Sequence, residues 1–324
     1  MTQPLGAAEP QQTEIVLLGI PLEAGAGRRG AAMGPAALRT AGLAEALAEL
    51  GHKVRDEGDL PVPRPALGEP GLNALSQTCR NVREIAGWTR AIHDRAYALM
   101  KRPGVPVFMG GDHALSMGTV AAAARVAREA GRTLHVLWLD AHADFNTPAT
   151  TPSGNMHGMS LAFLTGEPSL APVMEGIEPV APETIHIFGL RSIDPQERRV
   201  VDDLGVRASD MRAIDENGAA YLMRTYLEGL DPETTHLHVS FDVDFLDPSL
   251  GPGVGTTVPG GATYREAHLV MELLHESGLV RSVDLVELNP FLDERGKSAL
   301  LQAELTASLF GRTILDRRPR EPRE

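Results

Sequence analysis

The sequence predicts an α/β fold: three layers, α/β/α, around an eight-stranded, mostly parallel sheet. Three observations lead there. Short β-rich runs alternate with longer helical ones along the chain. Several of those runs are nearly continuous Val, Ile and Leu, the pattern of strands buried on both faces of a parallel sheet. With 324 residues and a single cysteine, Cys79, the core must come from packing, not from disulfides.

The elements follow in order. Residues 1–13, rich in Gln, Pro and Ala, read as a flexible lead. Strands are expected over 14–20, 52–60, 105–111, 133–140, 184–190, 206–210, 236–244 and 280–288. One helix is expected to run from Pro35 through residue 50, because proline suits the first helical turn. A second opens on the capping box Thr263-x-x-Glu266 and closes on Gly278. No repeat and no interdomain linker interrupts the pattern, so 14–315 read as one domain. Residues 316–324, DRRPREPRE, read as a charged tail, either solvated or an interface.

Thirty Lys and Arg against 43 Asp and Glu give a net charge of −13. Such an acid excess repels phosphate backbones and anionic lipid, so nucleic-acid and membrane partners are not expected. No Lys or Arg precedes Arg28, as a secretion signal would require, and no apolar run is long enough to span a bilayer. With one cysteine, the chain reads as cytoplasmic.

In a doubly wound sheet, ligands bind at the carboxyl ends of the strands. Three strand ends carry polar clusters there: Gly110-Gly111-Asp112-His113, Asp140-Ala141-His142-Ala143-Asp144 and Asp242-Val243-Asp244. A period of two would aim Asp140, His142 and Asp144 to one side. Asp112 should point away from His113 and is read as structural. Carboxylates at this density cannot all ionise together without cations, and two divalent ions sharing bridging carboxylates would resolve the conflict. Oxygen donors with two imidazoles favour Mn²⁺, with Zn²⁺, Co²⁺ or Ni²⁺ as substitutes. Such a metal pair would supply hydroxide at neutral pH, pointing to a two-metal hydrolase.

A competing motif, Gly25-Ala26-Gly27-Arg28-Arg29-Gly30, has the glycine spacing of a dinucleotide loop. Its helix opens several residues too late, near Gly34-Pro35, and no acid closes the second strand at the expected distance. It reads as a flexible loop at the rim of the sheet.

GGDHALSMG (110–118), DAHADFNTPATTPSGNMHG (140–158), SFDVDFLDPS (240–249), VELNP (286–290) and RRGAAMGPAALRTAGL (28–43) together resemble the ureohydrolase superfamily. Within it the chain resembles arginases of bacterial type, over about 14–315; NTPATTPSGNMHG is the stretch that agmatinases lack. The resemblance implies two Mn²⁺ per subunit. His113 and Asp144 would bind one ion, His142 and Asp244 the other, and Asp140 and Asp242 would bridge them. It also implies hydroxide attack on the guanidinium carbon of L-arginine, oriented by Asp144, giving L-ornithine and urea. Homotrimers or homohexamers are implied as well. Another guanidino-compound ureohydrolase, or a non-catalytic binding protein on the same fold, stays open as an alternative.

Glu287 ends the last strand, where a carboxylate can hold a planar guanidinium by two parallel hydrogen bonds. The resemblance implies that His157 shuttles protons, a task suited to an imidazole. It further implies that Asn146, Thr151 and Ser153 receive the α-carboxylate and that Asp194 and Glu197 receive the α-amino group. Asp194-Pro195-Gln196-Glu197 is equally a helix capping box. Thr256 is expected beside the guanidinium, or as a turn residue. His135, His186, His236 and His238 lie within strands and are expected to be packed and hydrogen-bonded.

Overall fold

The computed structural model describes residues 12–315. Most of the expected lead and all of the charged tail, 316–324, lie outside the described residues.

Each expected strand forms: β1 Glu14–Ile20, β2 Lys53–Asp59, β3 Val105–Gly110, β4 Thr133–Leu139, β5 Ile185–Leu190, β6 Arg207–Asp210, β7 Thr235–Asp242 and β8 Val280–Val286. They make one sheet in the order β2-β1-β3-β8-β7-β4-β5-β6, and every neighbouring pair is parallel.

Alternate residues of the strands face opposite layers. Val16, Leu18, Phe108, Val136 and Trp138 pack against helices Val82–Met100, Ser116–Glu129 and Ser160–Leu164. Ile15, Leu17, Val107, Leu137, Val239 and Val283 pack against Gly34–Thr40, Leu43–Glu49, Ala219–Glu228, Tyr264–Ser277 and Lys297–Leu309. Both faces of the inner strands are therefore dry, which explains their unbroken apolar runs.

The order places β3, β8, β7 and β4 side by side at the centre. Leu139 pairs with Phe241 and Asp242 with Val286, so the carboxyl ends of these strands are level. Residues just beyond them are forced together.

Two local expectations are corrected. The helix expected from residue 35 to 50 is two helices, Gly34–Thr40 and Leu43–Glu49, broken where Gly42 takes a left-handed conformation at φ 80°. The period-two argument at the strand ends also fails. β4 stops at Leu139 and β7 at Asp242, and Val243–Phe245 is a 3₁₀ turn. Asp242 closes β7, whereas His113, Asp140, His142, Asp144 and Asp244 lie beyond their strands.

Candidate metal centre and its pocket

The turns orient the acids by a shared device: one carboxylate oxygen accepts a backbone N–H and the other is left facing inward. Asp140 Oδ1 accepts from His142 N (2.6 Å), Asp242 Oδ1 from Asp244 N (2.7 Å), and Asp244 Oδ1 from Ala141 N (3.0 Å). The inward oxygens converge on two ring nitrogens. His113 Nδ1 lies 3.1 Å from Asp140 Oδ2, 3.2 Å from Asp144 Oδ2 and 3.1 Å from Asp242 Oδ2. His142 Nδ1 lies 3.0 Å from Asp244 Oδ2 and 3.5 Å from Asp140 Oδ1.

Asp144 reaches this centre through a left-handed backbone, φ 52°, and Glu287 does likewise at φ 63°. For a non-glycine residue that conformation costs about 1–3 kcal/mol, and it persists where neighbours over-determine it. The carbonyl of Asp144 accepts from Leu161 N at 3.0 Å, and Glu287 N donates to Gly111 O at 2.8 Å.

Two groups of donors stand close enough to hold an ion: His113, Asp140 and Asp144; and Asp140, His142 and Asp244. Asp140 belongs to both. Asp242 enters through its contact with His113. His113 Nδ1 and Asp140 Oδ2 are buried and lack hydrogen-bond partners despite their proximity. His113 Nε2 is held by Ser240 Oγ at 2.8 Å, so Nε2 can carry the proton and Nδ1 keep its lone pair. Trp138 stacks on the His113 ring at 3.9 Å and fixes its plane. Oxygen and imidazole donors oriented this way fit divalent cations.

The electrostatics point the same way. Burial opposes the His113 and His142 imidazoliums, yet the surrounding carboxylates outweigh it, lifting His113 well above its ordinary value and His142 to about 12. Burial and like charge push Asp144 and Asp242 well above the usual carboxylate range. Burial also works to raise Asp140, but His113 and His142 hold it below. The cluster thus recruits protons to offset its acids, a demand that divalent ions meet instead.

Above the centre opens a pocket of about 210 Å³. His113, His142, Asp144 and Asp242 line its floor; Asn146, Thr151, Ser153, His157, Asp194, Glu197 and Thr256 line its walls. Every residue expected to touch substrate reaches this space except Glu287, which is buried beneath it. Glu287 Oε1 accepts both His113 N and His157 Nδ1–H, each at 2.8 Å. Burial works against a charged His157, but Glu287 raises it to about 9.

Glu197 accepts from Phe145 N (2.8 Å) and from Asp194 N (3.1 Å), so the expected capping box is present and also props the backbone beside Asp144. Asp194 Oδ2 accepts from Asn146 Nδ2 at 3.1 Å. Thr151 Oγ1 and Ser153 Oγ accept loop amides from Gly154 and Asn155, leaving both hydroxyls free to donate. Thr256 Oγ1 lies 3.3 Å from Asp244 Oδ2, so it touches the centre as well as shaping a turn.

Asp112 is structural, as expected. Its carboxylate accepts from Gly25 N, Ala26 N and Ala114 N. The glycine-rich loop is tethered, and its bare backbone is needed for packing: a Cβ on Gly25 would meet Asp112 and Ala114, and one on Gly27 would meet Asn155. His186 and His238 are packed and hydrogen-bonded to Ser209 and Ser282. His236 is buried without a partner at Nε2, and His135 is only half-buried.

Sequence reasoning missed Ser240 and Arg191. Ser240 lies two residues before Asp242 on β7, and alternation would have put it on the ligand side. Arg191 is a lone cation directly after an apolar strand.

The arginase family model matches residues 13–311. The chain is 50% identical to the arginase of Brucella melitensis, covering 93% of this chain and 97% of that one. It is 48% identical to the arginase of Agrobacterium fabrum, covering 93% and 92%. The solved arginase of Bacillus caldovelox superposes with a TM-score of 0.85 at 38% identity, covering 94% of this chain and all of that one. Sheet order, convergent His and Asp turns and near-full-length similarity lead to one conclusion: this chain belongs to the arginase family.

Proposed function

We propose that this protein hydrolyses the guanidinium group of L-arginine to L-ornithine and urea at a centre of two Mn²⁺ ions. One observation carries the reading: inward-facing oxygens of Asp140, Asp144, Asp242 and Asp244, with Nδ1 of His113 and His142, meet at the floor of a pocket whose mouth offers hydroxyl and amide donors. His113, Asp140 and Asp144 would hold one ion and Asp140, His142 and Asp244 the other, with Asp242 completing the bridge. Bound there, divalent ions activate water for attack at neutral pH.

The chain's own groups do the rest. Asn146, Thr151 and Ser153 receive the α-carboxylate through neutral donors, and Asp194 with Glu197 receives the α-amino group. Substrate is thereby held at both ends, which fixes the guanidinium carbon over the metal floor. Asp144 orients the attacking oxygen. His157, kept protonated by Glu287, is placed to give its proton to the amine nitrogen as the C–N bond breaks. Glu287 uses Oε1 on His113 and His157. A grip on the guanidinium by both oxygens therefore needs His157 to swing away, and Oε2 alone can hold it otherwise. Thr256 closes the wall beside Asp244.

The assembly as a homotrimer or homohexamer and a cytoplasmic location belong to the same reading. Among the described residues no helix is long and apolar enough to cross a membrane. Urea release from Mn²⁺-loaded protein tests the substrate. L-arginine should be turned over far faster than agmatine, which lacks the α-carboxylate, and guanidinobutyrate, which lacks the α-amino group; a preference for either analogue contradicts the reading.

A further inference from the structure

Arg191 follows β5 directly and ties together three segments that the metal centre depends on. Its backbone N–H donates to Ala141 O at 2.9 Å, between the ligands Asp140 and His142. Its guanidinium spans the turn that carries Asp244. Nη2 donates to Asp244 O (2.5 Å) and Leu246 O (3.2 Å), and Nη1 to Phe245 O (3.4 Å). Nε and Nη2 both donate to Val258 O, at 3.1 and 2.8 Å, in the loop that carries Thr256. A last bond runs from Nη1 to Gly189 O at 3.3 Å.

All of these acceptors are backbone carbonyls. Among the described residues no carboxylate lies within ion-pair distance of Arg191. A half-buried guanidinium without a carboxylate partner is costly to keep, and a purely structural clamp would be served by neutral donors. Burial weakens the charge, and the carboxylates of Asp244, Asp140 and Asp242 favour it. A Cβ on Gly261 would lie 2.5 Å from Leu246 C and 2.6 Å from both Asp247 N and Nη2, so the loop packs on this turn and its guanidinium only with glycine there.

We propose that Arg191 is a positioning residue: its guanidinium fixes the 244–246 turn and pins the 256–258 loop to Asp244, while its backbone N–H holds Ala141. It thereby shapes the Asp140, His142, Asp244 ion site in particular, since the His113 side receives none of its bonds. The proposal rests on the metal-centre part of the functional reading and not on the identity of the substrate.

The test compares Arg191→Ala and Arg191→Lys with the unaltered protein. Lysine keeps the charge but cannot serve the carbonyls of the 244–246 turn and of Val258 together from one ammonium, and both variants keep the backbone bond to Ala141. Manganese titration, followed calorimetrically and by electron paramagnetic resonance, should show the second ion bound at least tenfold more weakly in Arg191→Ala. The first ion should change by less than threefold, and the spin-coupled signal should give way to that of an isolated ion. Amide hydrogen exchange should speed up across 254–261 while the strands stay protected. Arg191→Lys should fall between, and it carries the test alone if the alanine variant fails to fold. Equal weakening of both ions overturns the proposal. So does unchanged ion binding with unchanged exchange, even with a lower Tm, because Arg191 would then only hold the fold. If the unaltered protein releases no urea from L-arginine, the functional reading fails while ion binding and exchange still decide the role of Arg191.

Discussion

His113 Nδ1 and Asp140 Oδ2 lie 3.1 Å apart in the buried floor of the pocket, and neither has a hydrogen-bond partner. Two buried polar atoms without partners are each costly, by about 1–3 kcal/mol. A cation between them satisfies both. Asp140 also belongs to the His142 and Asp244 group, so it links two ion sites. Asp140→Ala should therefore lose both ions, measured as manganese per chain after gel filtration, whereas Asp144→Ala should weaken mainly the His113 side. Retention of two ions by Asp140→Ala would show that the shared position is not a bridge.

Ser240 acts on the centre only through His113 Nε2. Removing a hydrogen bond to the far nitrogen of a metal-binding imidazole typically costs 10–100-fold in metal affinity. Ser240→Ala should lower affinity for the ion on the His113 side by that range while Ser240→Thr, which keeps the hydroxyl, retains most of it. Equal affinities in both variants would mean that Trp138 stacking alone fixes the ring.

The His157 ring is held by Glu287 and, among the described residues, is hydrogen-bonded to no metal-ligand side chain. His157→Ala should reduce kcat by about 10²–10⁴, the usual worth of a general acid, with both ions still bound. Loss of manganese along with activity would instead mark His157 as part of the support for the ligands.

The fold also carries a pH dependence away from the centre. Burial, reinforced by Arg207, holds His186 at about 4; burial, reinforced by His238 and nearby arginines, holds His236 at about 4. Unfolded histidine titrates near 6.5. Between those values the unfolded chain binds more protons, so stability rises with pH and is lost as pH falls from about 6.5 toward 4. Each group contributes at most about 3 kcal/mol. Urea midpoints of a His186→Gln, His236→Gln variant should fall less between pH 7.5 and 5 than those of the unaltered protein. Parallel slopes would show that these imidazoles are not buried neutral.

The sheet was legible because its strands announce themselves twice, by apolar runs and by the polar residues that end them. Leu139 and Phe241 could be placed near strand ends, but that their strands are neighbours, which brings Asp140 and Asp242 together, is a property of the strand order that the sequence left open. Their orientation was not legible. It depends on left-handed backbone at Asp144 and on a 3₁₀ turn after Asp242, neither of which alternation foresees. Gly42 broke a helix that periodicity carried through, because a left-handed residue leaves the apolar pattern intact while turning the chain. Arg191 was invisible for another reason: all its partners but Gly189 are carbonyls of residues about 50 to 70 positions away, and a carbonyl has no sequence signature.

A crystal soaked in Mn²⁺ and measured above and below the manganese absorption edge tests the central claim most directly. The account predicts two anomalous peaks in each chain, one against His113 and Asp144, one against His142 and Asp244, with Asp140 touching both. A single peak, or none, in protein that still releases urea from L-arginine would contradict it.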